Sequence, residues 1–261
     1  MLPFHTWLPN AHVQAPTAGS VMLAGVLLKL GGYAMLRVSL PMFPGATESF
    51  AIYVVYLSGA AIIYASFVAF KQTDMKKMIA YSSVAHMGYV TGGIFTLSEI
   101  GVNAAVFQMV SHGLISSALF LTVGFLYNRH HTKEISKYGG VVESMPLLSA
   151  GFMVAMLGSI GLPGLSGFIG EFLGIISVFA YNKTVGVFCA FGVVLGALYM
   201  LKLYKEVVFG CAGDEVKKFD DLKVEEYVPL FILCFLIIFL GVFPNFIFSL
   251  LNTPVYNLIN I

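Results

Sequence analysis

Five ionisable residues lie inside long apolar stretches of the sequence: Lys29, His86, His112, Glu171 and, nearer the end of its stretch, Lys202. A lone charge at the centre of a membrane helix costs about 2.5–3.5 kcal/mol on insertion scales, so each group must be paired, neutral or solvated in a cavity. Histidine titrates near neutral pH, and a buried lysine or carboxylate can do the same. Lys29, His86, His112 and Glu171 are therefore our candidates for a proton relay.

The local sequence leaves a structural explanation open for each candidate. Lys29 follows a run of apolar and small residues and cannot easily reach the headgroups, but it could form a structural pair with a carboxylate. Glu171 follows the glycine-rich segment 158–168, where a break in the helix would free backbone groups. His86 and His112 lie among small and hydroxylated residues, and each could be a hydrogen-bonded packing group.

Other polar residues have simpler explanations. Lys202 and Lys205 end their apolar stretch and can extend to the membrane interface. His5 and His12 flank the first helix, where we expect them near the surface and without metal-ligand spacing. The three cysteines form no ligand pattern, and the sequence contains no P-loop, GxGxxG, HExxH or GxSxG motif. We predict no metal site and no cofactor site.

The composition is that of a membrane protein. Of 261 residues, 58% are hydrophobic and 10% are charged, and the mean hydropathy is +0.88. A water-soluble domain carries charge on about a quarter of its residues. The net charge is +1 and the basic residues are scattered, which argues against a nucleic-acid partner. The sequence predicts an all-α, polytopic membrane helix bundle.

Seven stretches are long and apolar enough to span a bilayer, given the need for about 20 residues. They cover about 15–40, 50–70, 78–97, 101–127, 146–180, 184–209 and 228–250. The fifth is too long for one straight span, and its glycines and proline predict a break near 158–168. We expect one transmembrane domain over residues 1–261.

Basic residues in the connections predict the orientation of the bundle. Connections 71–77 and 128–137 are rich in Lys and Arg, so we place them on the cytoplasmic or matrix side, together with the mixed-charge loop 210–227. The intervening connections are poor in basic residues and fit the opposite side. The C-terminus then lies outside.

Four segments carry a resemblance to a known family: residues 4–37, 72–88, 108–114 and 162–172, in order along the chain. Together they resemble the antiporter-like subunits of respiratory complex I and, more distantly, multi-subunit sodium/proton antiporters. The resemblance implies a fold of fourteen membrane helices with two inverted five-helix repeats. This chain resembles helices eight to fourteen, which hold the second inverted repeat and the last helix. We therefore expect it to be the C-terminal part of such a subunit, with the first repeat upstream of Met1.

The resemblance also implies roles for the candidate residues. Lys29 matches the family's central lysine, and Glu171 matches the ionisable residue of the broken helix. His86 and His112 match histidines between them on a proposed water-filled axis. The acid at position 171 favours one branch of the family over sister chains that usually carry lysine there.

The function implied is proton translocation by a non-redox membrane subunit of NADH-quinone oxidoreductase, driven by quinone reduction elsewhere in the complex. Expected partners are other membrane subunits, the lipid bilayer and protons. The location is a bacterial plasma membrane or a mitochondrial inner membrane. Two alternatives stay open: a subunit of a sodium/proton antiporter, and a purely structural membrane spacer.

Overall fold

A computed structural model describes residues 2–259, and most of these residues lie in helices. The helices are α1 (Trp7–Gln14), α2 (Thr17–Met42), α3 (Pro44–Phe70), α4 (Met75–Phe95), α5 (Glu99–His130), α6 (Pro146–Ile160), α7 (Ser166–Tyr181), α8 (Lys183–Val208), α9 (Val224–Val242) and α10 (Asn245–Ile259). The predicted all-α membrane bundle is confirmed. The ends of the predicted domain, residues 1 and 260–261, lie outside the described part.

Five of these helices, α2, α3, α5, α8 and α9, are long and apolar enough to cross a membrane by length and composition. Helix α4 has 21 residues and a more polar sequence. Helices α6 and α7 are shorter and together occupy the stretch in which the sequence predicts a break.

Two boundaries differ from the sequence-based expectations. The predicted span 228–250 is divided, because α9 ends at Val242 and Phe243 leaves the helical conformation before Pro244. Proline restricts the residue before it to extended conformations, which explains the interruption. The residues before the first predicted span contain α1, which tolerates Pro9 because the first turn of a helix leaves its N–H groups unpaired.

Helix α5 is at the centre of the bundle and α2 is at its edge. Of the most apolar 18-residue window in each, 78% of α5 is buried but only 11% of α2. Small residues allow helices to pack closely. At Gly88 of α4, for example, an added Cβ would lie 3.1 Å from the backbone carbonyl oxygen of Ser58 on α3. Helix α2 also contains two π-helical segments, Leu23–Leu27 and Met35–Ser39.

Three connections meet at one end of the bundle, which we call the basic end: residues 71–74, 131–145 and 209–223. The backbone amide of Ile135 donates to the carbonyl oxygen of Thr73 at 2.9 Å, and that of Gly140 donates to the carbonyl oxygen of Phe209 at 3.1 Å. Basic residues assign the first two of these connections to one side of the membrane, and the alternation of sides along the chain places the third, which is net acidic, with them. Their meeting at one end is the arrangement that this assignment requires.

Arg129, at the end of α5, fastens the connection 209–223 to the bundle. Its Nη2 and Nη1 atoms lie 2.7 Å and 3.1 Å from the two carboxylate oxygens of Glu226 on α9. Its Nε donates to the backbone carbonyl oxygen of Asp220 at 2.7 Å, and Nη2 also donates to the backbone carbonyl oxygen of Asp221 at 3.1 Å. A planar guanidinium in a two-pronged contact is among the stronger ion pairs in proteins.

The same connection caps α6. The Asp221 carboxylate accepts hydrogen bonds from the amides of Leu147 at 2.9 Å and Leu148 at 3.3 Å, in the first turn of α6. Free amides at a helix N-terminus favour a negative charge. Arg129 therefore holds in place the segment that caps the broken helix.

We expect Arg129→Ala to destabilise the protein by about 2–3 kcal/mol, because it removes several hydrogen bonds to a charged group and leaves Glu226 unpaired. The measurement is the thermal unfolding temperature in detergent. Lys217→Ala is the matched control, since Lys217 is an exposed cation on the same connection. Equal unfolding temperatures for the two variants would contradict the role of Arg129.

Candidate functional site

Glu171 lies on α7 beside the break between α6 and α7. Helix α6 ends at Ile160, and Gly161 follows with φ of +79°, a conformation that favours glycine. A Cβ at Gly161 would lie 3.1 Å from Oε2 of Glu171. The carboxylate is only 4% exposed. The break therefore places non-helical backbone directly against a buried acid.

Glu171 and His86 form a buried pair. Oε1 of Glu171 lies 2.7 Å from Nδ1 of His86, which is 7% exposed on α4. Nε2 of His86 lies 3.2 Å from the Ser159 hydroxyl on α6, and Nε2 of Gln108 on α5 donates to Oε1 of Glu171 at 3.3 Å. Both members of the pair are thus held by further hydrogen bonds, as a buried ionisable group requires.

Lys29 and His112 form a second pair. Nζ of Lys29 lies 2.8 Å from Nδ1 of His112, which is 3% exposed on α5. The lysine ammonium also donates to the Ala24 carbonyl oxygen within its own helix, in the π-helical segment Leu23–Leu27. Such segments occur often at functional sites. The lysine is therefore bonded to an imidazole and a carbonyl, not to a carboxylate as the structural alternative supposed.

The two pairs meet at the histidines. The ring centroids of His86 and His112 are 5.5 Å apart, with an angle of 49° between the rings. Within residues 2–259, Nε2 of His112 has no hydrogen-bond partner, so the imidazoles touch without being bonded to each other. The four candidates, from α2, α5, α4 and α7, thus form one file with one unbonded contact in it.

A small enclosed cavity adjoins the His86–Glu171 pair, with space for about one water molecule. Its polar lining consists of Ser66, His86, Tyr89, Ser159, Glu171 and Tyr199. Tyr89 donates its hydroxyl to the Cys189 oxygen at 2.9 Å. Hydroxyl groups of Ser66, Tyr89, Ser159 and Tyr199 therefore surround the cavity beside the acid.

The other histidines and Lys202 lie apart from this file. His5 and His12 are buried and not near the surface as expected, because α1 packs among α3, α4 and α5. Nζ of Lys202 lies 4.9 Å from the centroid of the Phe70 ring, at the end of α3. This placement agrees with a lysine that extends to the interface.

Sequence reasoning missed Gln108 and Ser159, which both contact the His86–Glu171 pair. The signal for Gln108 was available, because it precedes His112 by four residues and so shares a helix face with it. Ser159 carried no such signal, since its position depends on where α6 ends.

The family that matches residues 1–196 is described as NADH:quinone oxidoreductase/Mrp antiporter, transmembrane. The chain belongs to this family. Subunit M of NADH-quinone oxidoreductase from Rickettsia prowazekii (strain Madrid E) is 60% identical over 260 residues, which are 99% of this chain and 53% of that protein. NADH-ubiquinone oxidoreductase chain 4 of Marchantia polymorpha is 49% identical over 99% of this chain and 52% of its own length.

The fold is also that of one chain in a solved complex. The structure of respiratory complex I from Thermus thermophilus with bound NADH contains a chain that matches 99% of this one with a TM-score of 0.93 and 28% identity, over 55% of its own length. The resemblance seen in the sequence is confirmed, and these relatives are named subunit M or chain 4, the branch that an acid at position 171 favours. The chain spans about half the length of the curated relatives it matches.

Two glycines in the break provide a test of the Glu171 geometry. Gly161 and Gly164 both have positive φ, at +79° and +95°, so alanine at either position should cost about 1–2 kcal/mol of stability. A Cβ at Gly161 would also press on the Glu171 carboxylate, whereas one at Gly164 would meet nothing within 4 Å.

We expect Gly161→Ala to shift the carboxyl band of Glu171 in infrared difference spectra, and Gly164→Ala to leave it in place. Isotope-labelled glutamate and a Glu171→Gln reference would assign the band. Identical spectra for the two alanine variants would show that Gly161 does not contact the acid.

Proposed function

We propose that this chain carries protons through the membrane as part of an antiporter-like subunit of NADH-quinone oxidoreductase. The observation that supports the proposal best is the file of four titratable side chains: the half-buried Lys29 and the buried His112, His86 and Glu171. Each side chain comes from a different helix, so the file exists only in the folded bundle. The names of the close relatives agree with this assignment.

The distances define the proton transfers. A proton on Nζ of Lys29 can move to Nδ1 of His112 across 2.8 Å, which leaves a neutral amine and an imidazolium. A proton on Nδ1 of His86 can move to Oε1 of Glu171 across 2.7 Å, which turns an ion pair into a neutral pair. Between the histidines, a proton crosses only when a ring turns or a water molecule bridges them.

Burial explains why these transfers are feasible. In a medium of low dielectric constant, an ion pair loses much of its solvation, so its charged and neutral forms can approach each other in energy. A water-exposed pair would stay in one form at neutral pH. The low exposure of His86, His112 and Glu171 therefore suits groups that alternate between protonation states.

Lys29 is placed to respond to the rest of the subunit. It lines a groove on the outside of this chain, between α2 and α5, together with Gly25, Leu30, Val110 and Gly113. In the relatives, which are about twice as long as this chain, the rest of the subunit is available to contact such a groove. In the proposal, that protein changes the charge state of Lys29 while quinone is reduced elsewhere in the complex, and Glu171 exchanges protons toward the outer side.

The ligand chemistry favours protons over sodium. The family description includes the Mrp antiporter, so sodium exchange is the second candidate. Sodium, a hard cation, prefers oxygen ligands, as calcium and magnesium do. The file is dominated by nitrogen: one lysine and two histidines stand against a single carboxylate. Sodium-independent transport by the complete protein would agree with proton transfer.

Glu171→Gln should abolish most NADH-driven proton pumping, because an amide cannot accept and release a proton. The assay uses the full-length subunit in its membrane complex, in inverted vesicles. Glu143→Gln, which changes an exposed glutamate before α6, is the control and should pump normally. Unchanged pumping in Glu171→Gln would instead support a structural spacer.

Lys29→Arg separates a relay from a structural pair. Arginine keeps the positive charge and the hydrogen-bond donors, but it does not deprotonate in proteins. We expect pumping to be lost in Lys29→Arg as fully as in Lys29→Met, while Lys202→Arg is silent. Retained pumping in Lys29→Arg would mean that only the charge matters at this position.

A further inference from the structure

We propose that His12 takes up protons from the basic end and delivers them to the Lys29–His112 pair. This inference rests on the proposed function and adds the route by which protons pass from the basic end to Lys29. The four-residue file reaches from Lys29 to Glu171 but does not reach the connections at the basic end. His12 lies between the two.

The first observation is that His12 is completely buried, at 0% exposure, yet both of its ring nitrogens lack a hydrogen-bond partner in the described part of the chain. A buried polar atom without a partner costs about 1–3 kcal/mol, so such atoms are rare unless they serve a purpose. The ring stacks on Phe120, with centroids 4.6 Å apart. Stacking on Phe120 accounts for the faces of the imidazole but leaves its nitrogens unexplained.

The second observation is the position of His12 relative to the file. His112, Ser116 and Phe120 are four residues apart on α5 and therefore share one helix face. Eight residues of helix cover about 12 Å, so the ring stacked on Phe120 lies two turns from His112, toward the basic end.

Hydroxyl groups lie along the same stretch. Ser116 donates to the His112 oxygen at 2.5 Å, and Ser20 on α2 donates to the His12 oxygen at 3.1 Å. Both serines are buried. Two buried hydroxyl oxygens, each able to accept a further hydrogen bond, therefore lie along the stretch from His12 to His112.

The third observation is an open polar depression at the basic end, beside the end of α1. It is lined by Val13, the residue after His12, and by Asp74, Lys133 and Glu134. Carboxylates at the mouth of such a depression can collect protons from solution and hold them near the protein. The depression thus brings solvent to Val13, the residue that follows His12.

A structural explanation covers part of this region. Nζ of Lys76 donates to the Ala15 oxygen at 2.9 Å, and Nζ of Lys133 donates to the Val13 oxygen at 2.6 Å. Cations at a helix C-terminus bond to its free carbonyls and stabilise it, so the two lysines have a sufficient role as caps of α1. That role does not involve the imidazole of His12, which the proposal assigns to proton transfer.

His12→Phe is the decisive variant, because it keeps an aromatic ring for stacking on Phe120 and removes the proton carrier. We expect NADH-driven proton pumping to fall about tenfold or more, because a positioned acid-base group typically contributes at least that much to a proton-transfer rate. The full-length subunit is assayed in its complex in inverted vesicles, with the amount of assembled complex measured in parallel. Phe107→Leu, which removes another buried aromatic stacking contact on α5, the one with Phe248, should pump normally.

A second substitution guards against a failure to assemble. His12→Gln keeps a polar side chain of similar reach, and it should show the same loss of pumping in a correctly assembled complex. Normal pumping by either assembled His12 variant would overturn the proposal, and so would an equal loss in Phe107→Leu, which would point to a general effect of packing.

The reference variant Glu171→Gln distinguishes a failure of the His12 route from a failure of the proposed function. If Glu171→Gln stops pumping and the His12 variants do not, protons reach the file by another route and the proposed function stands. If Glu171→Gln pumps normally, the proposed function itself fails, whatever the His12 variants do.

Discussion

The bundle depends on one constraint: titratable side chains in an apolar interior must find their hydrogen-bond partners on other helices. Lys29 joins α2 to α5 through His112, and His86 joins α4 to α7 through Glu171. Close packing makes these contacts possible. A Cβ at Gly113 of α5 would lie 2.9 Å from the Gly25 oxygen of α2, so the two backbones meet one turn from the Lys29–His112 contact. The contacts that hold the helices together are thus the contacts of the site.

The break in the α6–α7 pair satisfies the same constraint from the backbone side. Gly161 turns the chain without a side chain, and the Glu171 carboxylate occupies the adjacent space. The N-terminus of α6 is capped by Asp221, which lies on the segment that Arg129 fastens. The placement of the acid in the interior is therefore linked to an ion pair at the basic end.

Much of the fold and site was predictable because ionisable residues are conspicuous in an apolar sequence. Lys29, His86, His112 and Glu171 were selected on that ground, and the glycines and proline of 158–168 marked the break. Neutral residues gave weaker signals. Gln108 and Ser159 are the kinds of residue that membrane helices often contain, and the π-helical turn before Lys29 is built from ordinary leucine, alanine, glycine and valine. The burial of His12 depends on tertiary packing of α1, which periodicity does not report.

The unbonded contact between His86 and His112 has a consequence for energy conservation. An unbroken hydrogen-bonded wire across a membrane would conduct protons in both directions and would dissipate any proton gradient across that membrane. Here two closed pairs face each other across rings whose centroids are 5.5 Å apart. In the proposed relay, conduction requires a separate rearrangement at that contact, so the groups proposed to carry protons would also insulate the membrane against leakage.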